Sequence, residues 1–130
     1  MTLHTSGEDY LEAVLVLQQQ NGYVRCVDVA EHLGVTKPSV SRAVKELSKK
    51  KCLLKKDDGT LSLTEQGRQI AQQIYEKHQF FTKQLIEAGV PRDIAVQDAC
   101  RLEHVISETS FNKLKEAAWM KAQEVIPSEK

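Results

Sequence analysis

Residues 27–47 read VDVAEHLGVTKPSVSRAVKEL, and this stretch constrains the fold more than any other part of the chain. Apolar residues recur at helical spacing on both sides of Gly34, where the first of two helices is expected to end. Thr36 follows as an expected N-cap, and Pro38 lies in the first turn of the next helix, where its missing N–H costs nothing. Two helices joined by a turn of about three residues predict a helix-turn-helix unit.

The segments around this unit predict further helices and one hairpin. Residues 52–64, CLLKKDDGTLSLT, read as two short strands around Asp58-Gly59, a pair typical of tight turns. A hairpin at this place resembles the wing of a winged helix-turn-helix. Helices are predicted before the unit, from Ser6 to about residue 20, and after it, over about 64–89, 91–106 and from Ser107 or Ser110 onward. The expected fold class is mainly α.

Charge is distributed unevenly along the chain, although the formal net charge is zero. Residues 36–56 contain a single acidic residue, Glu46, and a series of cations. These cations are Lys37, Arg42, Lys45, Lys49, Lys50, Lys51, Lys55 and Lys56. Such a separation of sign predicts one surface that suits a polyanion.

The second helix of the unit is the expected DNA reader, because a helix fits the major groove and reads base edges there. Its apolar stripe leaves the basic and hydroxyl residues facing outward, with Arg42 as the best candidate for contacting a guanine. The residues expected to contact DNA are Thr36, Lys37, Pro38, Ser39, Ser41, Arg42, Lys45 and Lys49. Two alternatives stay open, a merely solvated basic face and a protein-interaction module.

The stretch DACRLEH at 98–104 places Cys100, Glu103 and His104 on one helical face, since residues i, i+3 and i+4 are neighbours there. A thiolate, a carboxylate and an imidazole together suit a divalent transition metal. Asp9 and Glu12 repeat the same spacing on the first helix, and His78 lies on the long one. A buried small thiol beside an ordinary surface pair is the alternative for residues 100–104.

Five stretches in order resemble the DtxR/MntR family of metal-dependent transcriptional repressors: SGEDYLEAV, VDVAEHLGVTKPSVSRAVKEL, LSLTEQG, EKHQFF and DACRLEHVIS. The resemblance implies a winged helix-turn-helix DNA-binding domain over 1–71 and a helical dimerisation and metal-binding domain over 72–130. It also implies a homodimer that binds a palindromic double-stranded DNA operator and represses metal-uptake genes. Longer members carry an additional SH3-like domain, which this chain is expected to lack.

The resemblance also implies a ligand set. Asp9, Glu12, His78, Glu103 and His104 match the ligands of the manganese-type branch. Cys100 departs from that branch, which has a carboxylate there, and matches the iron-type branch, which in turn has methionine where Asp9 stands. The expected activating ion is therefore Fe(II) or Mn(II), with Zn(II) or Co(II) binding possible in vitro.

Other functions are less favoured by the sequence. A redox sensor of the same fold, reacting through Cys26, Cys52 or Cys100, is the alternative function. No nucleophile elbow, phosphate loop or HExxH pattern is present, so neither an enzyme nor a small-molecule substrate is expected. Three widely spaced cysteines and the lack of a long apolar run predict a cytoplasmic chain without a membrane segment.

A dimer interface is expected on the apolar faces of the later helices. The residues proposed for it are Ile86, Ile94, Phe111 and Leu114. These side chains could equally close the core of a monomer, but the dimer face is favoured because reading a palindromic operator requires two copies of the chain.

Overall fold

The structure, a computed structural model, describes residues 5–125 and the side chains of 7–123. Its elements are α1 (Thr5–Asn21), α2 (Cys26–Leu33), α3 (Lys37–Lys49), β1 (Leu53–Lys55), β2 (Leu61–Leu63), α4 (Glu65–Glu87), α5 (Arg92–Val105) and α6 (Glu108–Val125). The chain divides into two compact units, Met1–Tyr75 and Glu76–Lys130, so α4 contributes to both. None of the helices described between residues 5 and 125 is both long and apolar enough to cross a membrane. The mainly α fold class is confirmed.

The helix-turn-helix forms as the sequence predicts. Gly34 closes α2 in the left-handed conformation, with φ of 68°, which glycine adopts without the steric cost that a Cβ brings. Thr36 is the N-cap of α3, because its hydroxyl accepts a hydrogen bond from the backbone N–H of Ser39 at 3.3 Å. Pro38 lies in the first turn. The cap and the proline together fix where α3 begins.

The predicted hairpin is present as an antiparallel pair in which Leu53 faces Leu63 and Lys55 faces Leu61. Gly59 has φ of 88° in the turn between the strands. The carboxylate of Asp58 accepts hydrogen bonds from the hydroxyl and the backbone N–H of Thr60, and these bonds lower the pKa of Asp58. Leu61 also donates a backbone hydrogen bond to Val24, which anchors this wing to the loop between α1 and α2.

The first unit has a continuous apolar core. It is built from α1, α2, α3, the inward faces of the two strands and the start of α4. Its most deeply buried members are Leu11, Val14, Val24, Val29, Val40, Cys52, Leu53 and Ala71. Burial of these side chains holds the outward face of α3 fixed with respect to the wing, because both rest on one packed interior.

The start of α4 packs tightly against the strand region. Thr64 caps the helix by accepting from the N–H of Gly67 at 3.0 Å, and its hydroxyl donates to the carbonyl of Lys51 at 2.7 Å. A Cβ on Gly67 would lie 1.9 Å from the carbonyl oxygen of Cys52. Glycine at this position therefore permits the backbone of α4 to lie close to the backbone of Cys52.

The second unit consists of the later part of α4 with α5 and α6. Phe81, Ala99 and Phe111 form its core, and Phe80 packs edge-on against Phe81 and Phe111 with ring centroids 5.2 and 5.4 Å apart. Ser107 caps α6 by accepting from the N–H of Ser110 at 3.1 Å.

Only part of the predicted dimer face lies at the surface of this unit. Phe111 is 2% exposed and belongs to the core, so assigning it to a dimer surface was wrong. Ile94 and Leu114 are exposed, and Ile86 is half-buried.

Candidate metal centre and nucleic-acid interface

Helix α5 brings three candidate metal ligands to one face. Cys100, Glu103 and His104 each offer one ligand atom, and these atoms lie within 4.8 Å of one another. The spacing i, i+3 and i+4 accounts for the convergence, since one helical turn stacks such residues. Glu103 is buried, whereas Cys100 is exposed, so the group runs from the interior of the unit to its surface.

His78 joins this group from α4. Its Nδ1 lies 2.9 Å from Oε1 of Glu103, a distance at which a ring N–H donates a hydrogen bond to a carboxylate. The other carboxylate oxygen, Oε2, lies 3.3 Å from Nε2 of His104. Glu103 thus stands between two imidazoles that come from different helices.

The environment of Glu103 fits a cation. The side chain is 1% exposed, and its Oε2 is buried without a hydrogen-bonding partner among the described residues. The 3.3 Å approach of His104 brings opposite charges together if the ring is protonated, but it lacks the geometry of a hydrogen bond. A buried carboxylate oxygen left in this state is costly, and a bound divalent ion would remove the cost. Imidazole nitrogen, carboxylate oxygen and cysteine sulfur are all ligands of transition metals.

Asp9 and Glu12 belong to the first unit. They lie one turn apart on α1, and both are half-buried. The shared helical face predicted from their spacing follows from the regular helix in which they lie. Their membership of the ligand set stays a prediction.

The outward face of α3 carries the cations that the sequence predicts there. Lys37, Arg42, Lys45 and Lys49 are exposed, as are the wing residues Lys55 and Lys56. Beneath them Val40, Val44 and Leu47 are buried. The helix therefore offers one apolar face to the core and one basic face to solvent.

The remaining predicted DNA-contacting residues are hydroxyl residues and Pro38. Thr36, Pro38 and Ser41 are exposed, whereas Ser39 is half-buried. The hydroxyls of Thr36 and Ser39 lie 2.9 Å apart, and Arg42 donates to the Ser39 hydroxyl at 3.4 Å. Ser39 therefore helps to cap the helix and orients the arginine, a role that its residue type alone does not indicate.

A groove that the sequence did not indicate runs between α3 and β1. It is lined by Ser41, Val44, Lys45, Ser48, Lys49 and Lys55. Lys55 comes from the wing, and its proximity to α3 follows only from the folded hairpin. The cations on the two elements thus border a single concave surface.

The three cysteines differ in their surroundings. Cys52 is buried, and this burial raises the pKa of its thiol, with Lys50 opposing the shift. Cys26 is half-buried, and Cys100 is exposed. Because the thiolate is the reactive form, Cys52 is poorly suited to redox sensing.

Two family models match this chain. Residues 2–58 match the model described as iron dependent repressor, N-terminal DNA binding domain. Residues 64–118 match the model described as iron dependent repressor, metal binding and dimerisation domain. The two matches follow each other along the chain and together leave out only short segments.

Individual proteins show the same similarity. The HTH-type transcriptional regulator MntR of Geobacillus kaustophilus (strain HTA426) is 32% identical over 109 residues, which cover 84% of this chain and 77% of that protein. The structure of the manganese regulator SloR is similar with a TM-score of 0.78 at 28% identity, over 91% of this chain and 54% of that one. A manganese-dependent transcriptional repressor solved with manganese has a TM-score of 0.76 at 25% identity, over 85% of this chain and 51% of that one. This chain thus spans about half the length of those solved chains.

A winged helix-turn-helix with a basic outer face, in one chain with a cluster of nitrogen, oxygen and sulfur ligands around a buried carboxylate, defines the class of metal-responsive DNA-binding regulators. The family models and the relatives described above narrow that class to one family. The chain belongs to the DtxR/MntR family of metal-dependent transcriptional repressors.

Proposed function

We propose that this chain is a repressor that binds a palindromic DNA operator as a homodimer when loaded with Fe(II) or Mn(II), and so controls metal-uptake genes. Family membership supports the DNA-binding and metal-dependent parts of the proposal. The observation that carries it is Glu103, a buried carboxylate beside two imidazoles and a thiol, with one oxygen left unsatisfied among the described residues.

The proposed ligands are Asp9, Glu12, His78, Cys100, Glu103 and His104. A bound divalent ion would supply positive charge that offsets the carboxylates. Within the second unit, Glu103 lies 2.9 Å from His78 and 3.3 Å from His104. Little rearrangement of these three side chains is therefore needed to bind a cation.

If Asp9 and Glu12 are ligands, the metal ion regulates DNA binding as well as binding to the protein. They lie on α1, whose Leu11, Val14 and Leu15 are part of the same core as α3. A ligand set drawn from both units would restrict motion between them and so limit the distances available to two recognition helices in a dimer. Those helices must be about 34 Å apart to enter successive major grooves. Affinity would then rise by a shift of population rather than by new contacts to DNA.

The identity of the cognate ion depends on the balance between sulfur and oxygen ligands. The thiolate of Cys100 favours Fe(II), Co(II) or Zn(II), whereas the carboxylates of Asp9, Glu12 and Glu103 suit Mn(II). Solved relatives include a manganese-dependent repressor in complex with manganese. We propose Mn(II) or Fe(II) as the physiological signal, with Zn(II) and Co(II) as ions that bind in vitro.

The DNA contacts proposed for α3 divide into two kinds. Arg42, oriented by Ser39, is the proposed base reader, since arginine pairs with the two acceptors of guanine. Lys45, Lys49 and Lys55 border the groove beside α3 and are proposed to hold phosphates, which fix register without reading sequence.

The test of this function is a metal titration of DNA binding. Fluorescence anisotropy with a duplex selected from random DNA by the Mn(II)-loaded protein would be followed anaerobically with Mn(II), Fe(II), Co(II) and Zn(II). The expected result is that chelation releases the duplex and that His104→Ala abolishes the metal response while the fold and the dimer persist. A metal response that survives in His104→Ala would contradict the proposal, and release by peroxide but not by chelation would favour the redox-sensing alternative.

A further inference from the structure

Lys77 is an unusual neighbour for the candidate ligand His78. The whole residue is 7% exposed, and among the described residues Lys77 and Glu103 are the only buried ones with a charged side chain. Its Nζ lies 2.7 Å from Oε2 of Glu108 and 5.8 Å from the centroid of the Phe111 ring. An ammonium in such surroundings is tolerated because it is paired with a carboxylate.

Two consecutive residues of α4 are thus tied to two different segments of chain. His78 is joined to Glu103 near the end of α5, and Lys77 is joined to Glu108, the first residue of α6. Between Glu103 and Glu108 the chain turns from one helix into the next. The Lys77 ion pair therefore fixes α4 against the same corner that presents Cys100, Glu103 and His104.

We propose that Lys77 is a positioning residue for the metal centre: its ion pair with Glu108 holds the His78 turn of α4 in register with the ligand face of α5. The proposal rests on the proposed function. Ligands must be held within about 0.5 Å of their productive places, and loss of a group that holds them typically costs about 10- to 100-fold in affinity. Lys77 acts through His78 and is not itself a ligand.

The chain offers a matched control in Lys115. Its Nζ lies 2.8 Å from Oε2 of Glu76 and 4.9 Å from the centroid of the Phe111 ring, so it also joins α6 to α4 and also faces that ring. The side chain of Lys115 is 38% exposed, however, whereas that of Lys77 is 9% exposed. An exposed ion pair of this kind contributes little to rigidity. Comparison of the two lysines separates positioning of His78 from general packing around Phe111.

The test is anaerobic titration of the full chain with Co(II) alone, followed by visible absorption. Lys77→Met is expected to weaken Co(II) binding about 10-fold and to shift the ligand-field bands, because loss of a supporting residue costs about 10- to 100-fold in affinity. Glu108→Gln is also expected to weaken Co(II) binding. Its side chain is 55% exposed, so this substitution does not alter the core. Lys115→Met is expected to stay within about twofold of the parent protein, and Lys77→Arg to restore binding, since it retains the charge and reach.

A second readout uses the metal-free protein, in which the imidazole nitrogen signals of His78 are expected to move in Lys77→Met and to stay in place in Lys115→Met. Circular dichroism would confirm that the variants are folded, and Glu108→Gln carries the test if Lys77→Met does not fold. Undiminished Co(II) affinity in both Lys77→Met and Glu108→Gln would overturn the inference but leave the proposed function standing. Equal losses of Co(II) affinity in Lys77→Met and Lys115→Met would do the same. Failure of the parent protein to bind Co(II) would instead overturn the proposed function, and the inference with it.

Discussion

At the scale of single residues, Glu103 is the group on which the metal centre depends most. Its carboxylate is within 2.9 Å of His78 and within 3.3 Å of His104, and one of its oxygens is unsatisfied among the described residues. A buried charge of this kind opposes folding unless a cation or a full set of hydrogen bonds offsets it. In the proposed metal centre, this residue would therefore favour the metal-bound state over the metal-free state.

Glu103→Gln is expected to weaken metal binding without lowering stability. Metal affinity is expected to fall by at least about 100-fold, the upper end of what losing a supporting group costs, because a formal charge and a ligand oxygen are both lost. The free energy of unfolding of the metal-free protein is expected to stay the same or to rise, since the buried charge is removed. Isothermal titration with Mn(II) and urea denaturation measure the two quantities.

The matched control for that experiment is Glu116→Gln, which removes an exposed carboxylate of α6. Neither affinity nor stability is expected to change by more than about 0.5 kcal/mol. A Glu103→Gln variant that bound Mn(II) normally and unfolded more easily would mean that Glu103 serves the fold alone.

Cys100 gives a second prediction, which concerns selectivity. In Cys100→Ser the sulfur-to-metal charge-transfer absorption of the Co(II) complex is expected to disappear, because the thiolate that gives rise to it is gone. Affinity for Zn(II) and Co(II) is expected to fall more than affinity for Mn(II), for which oxygen ligands are suitable. Cys26→Ser, which removes a half-buried thiol of the first unit, should leave the spectrum unchanged. Persistence of the sulfur absorption in Cys100→Ser would contradict the assignment of this ligand.

The closeness of Cys100, Glu103 and His104 could be predicted from the sequence because these three residues lie on one turn. The i, i+3 and i+4 spacing of Cys100, Glu103 and His104 translates directly into a shared helical face. The pairing of His78 with Glu103 joins residues 25 positions apart, and no local pattern encodes such a distance. The same limit applies to Phe111, whose spacing suits a dimer face and a core equally well, and which the packed unit places in the core.

At the scale of elements, caps and glycines decided how well the boundaries could be predicted. Gly34, Thr36 and Pro38 mark the ends of α2 and α3 because each has a conformational preference that acts locally. At Thr64 the sequence has only half of a capping box, since Gly67 stands where the box has Glu or Gln, yet the helix is capped there. The donor is the backbone N–H of Gly67, which any residue type other than proline supplies.

Gly67 itself carries the prediction at this scale. Gly67→Ala would place a methyl group 1.9 Å from the carbonyl oxygen of Cys52, and a backbone oxygen cannot rotate away. Unfolding free energy is expected to fall by about 3 kcal/mol, the upper end of the usual cost of overpacking, despite alanine's better helix propensity. Urea denaturation measures the change.

The comparison for that variant is Gln69→Ala on the same helix, at an exposed position. Its effect is expected to lie within about 0.5 kcal/mol. Undiminished stability in Gly67→Ala would contradict the close approach of α4 to Cys52 on which the fit between helix and wing depends.

At the scale of the whole molecule, the chain combines a basic reader and a ligand cluster in a polypeptide with no net charge. Residues 36–56 carry the excess of cations that a DNA surface needs, and the rest of the chain carries a compensating excess of acidic groups. Acidic residues in the remainder include the proposed ligands Asp9, Glu12 and Glu103. Under the proposed function, the basic segment would contact the nucleic acid, and acidic residues of the remainder would bind the metal ion.

The central claim is that metal binding and operator binding are coupled, and linkage makes that claim measurable in both directions. If Mn(II) raises the affinity for the operator by a given factor, the operator must raise the affinity for Mn(II) by the same factor. We therefore predict that titration of Mn(II) into the protein with and without the selected duplex gives affinities that differ by that factor, which is expected to be at least about fivefold. Equal Mn(II) affinities in the two titrations would contradict the coupling and with it the account of this chain as a metal-activated repressor.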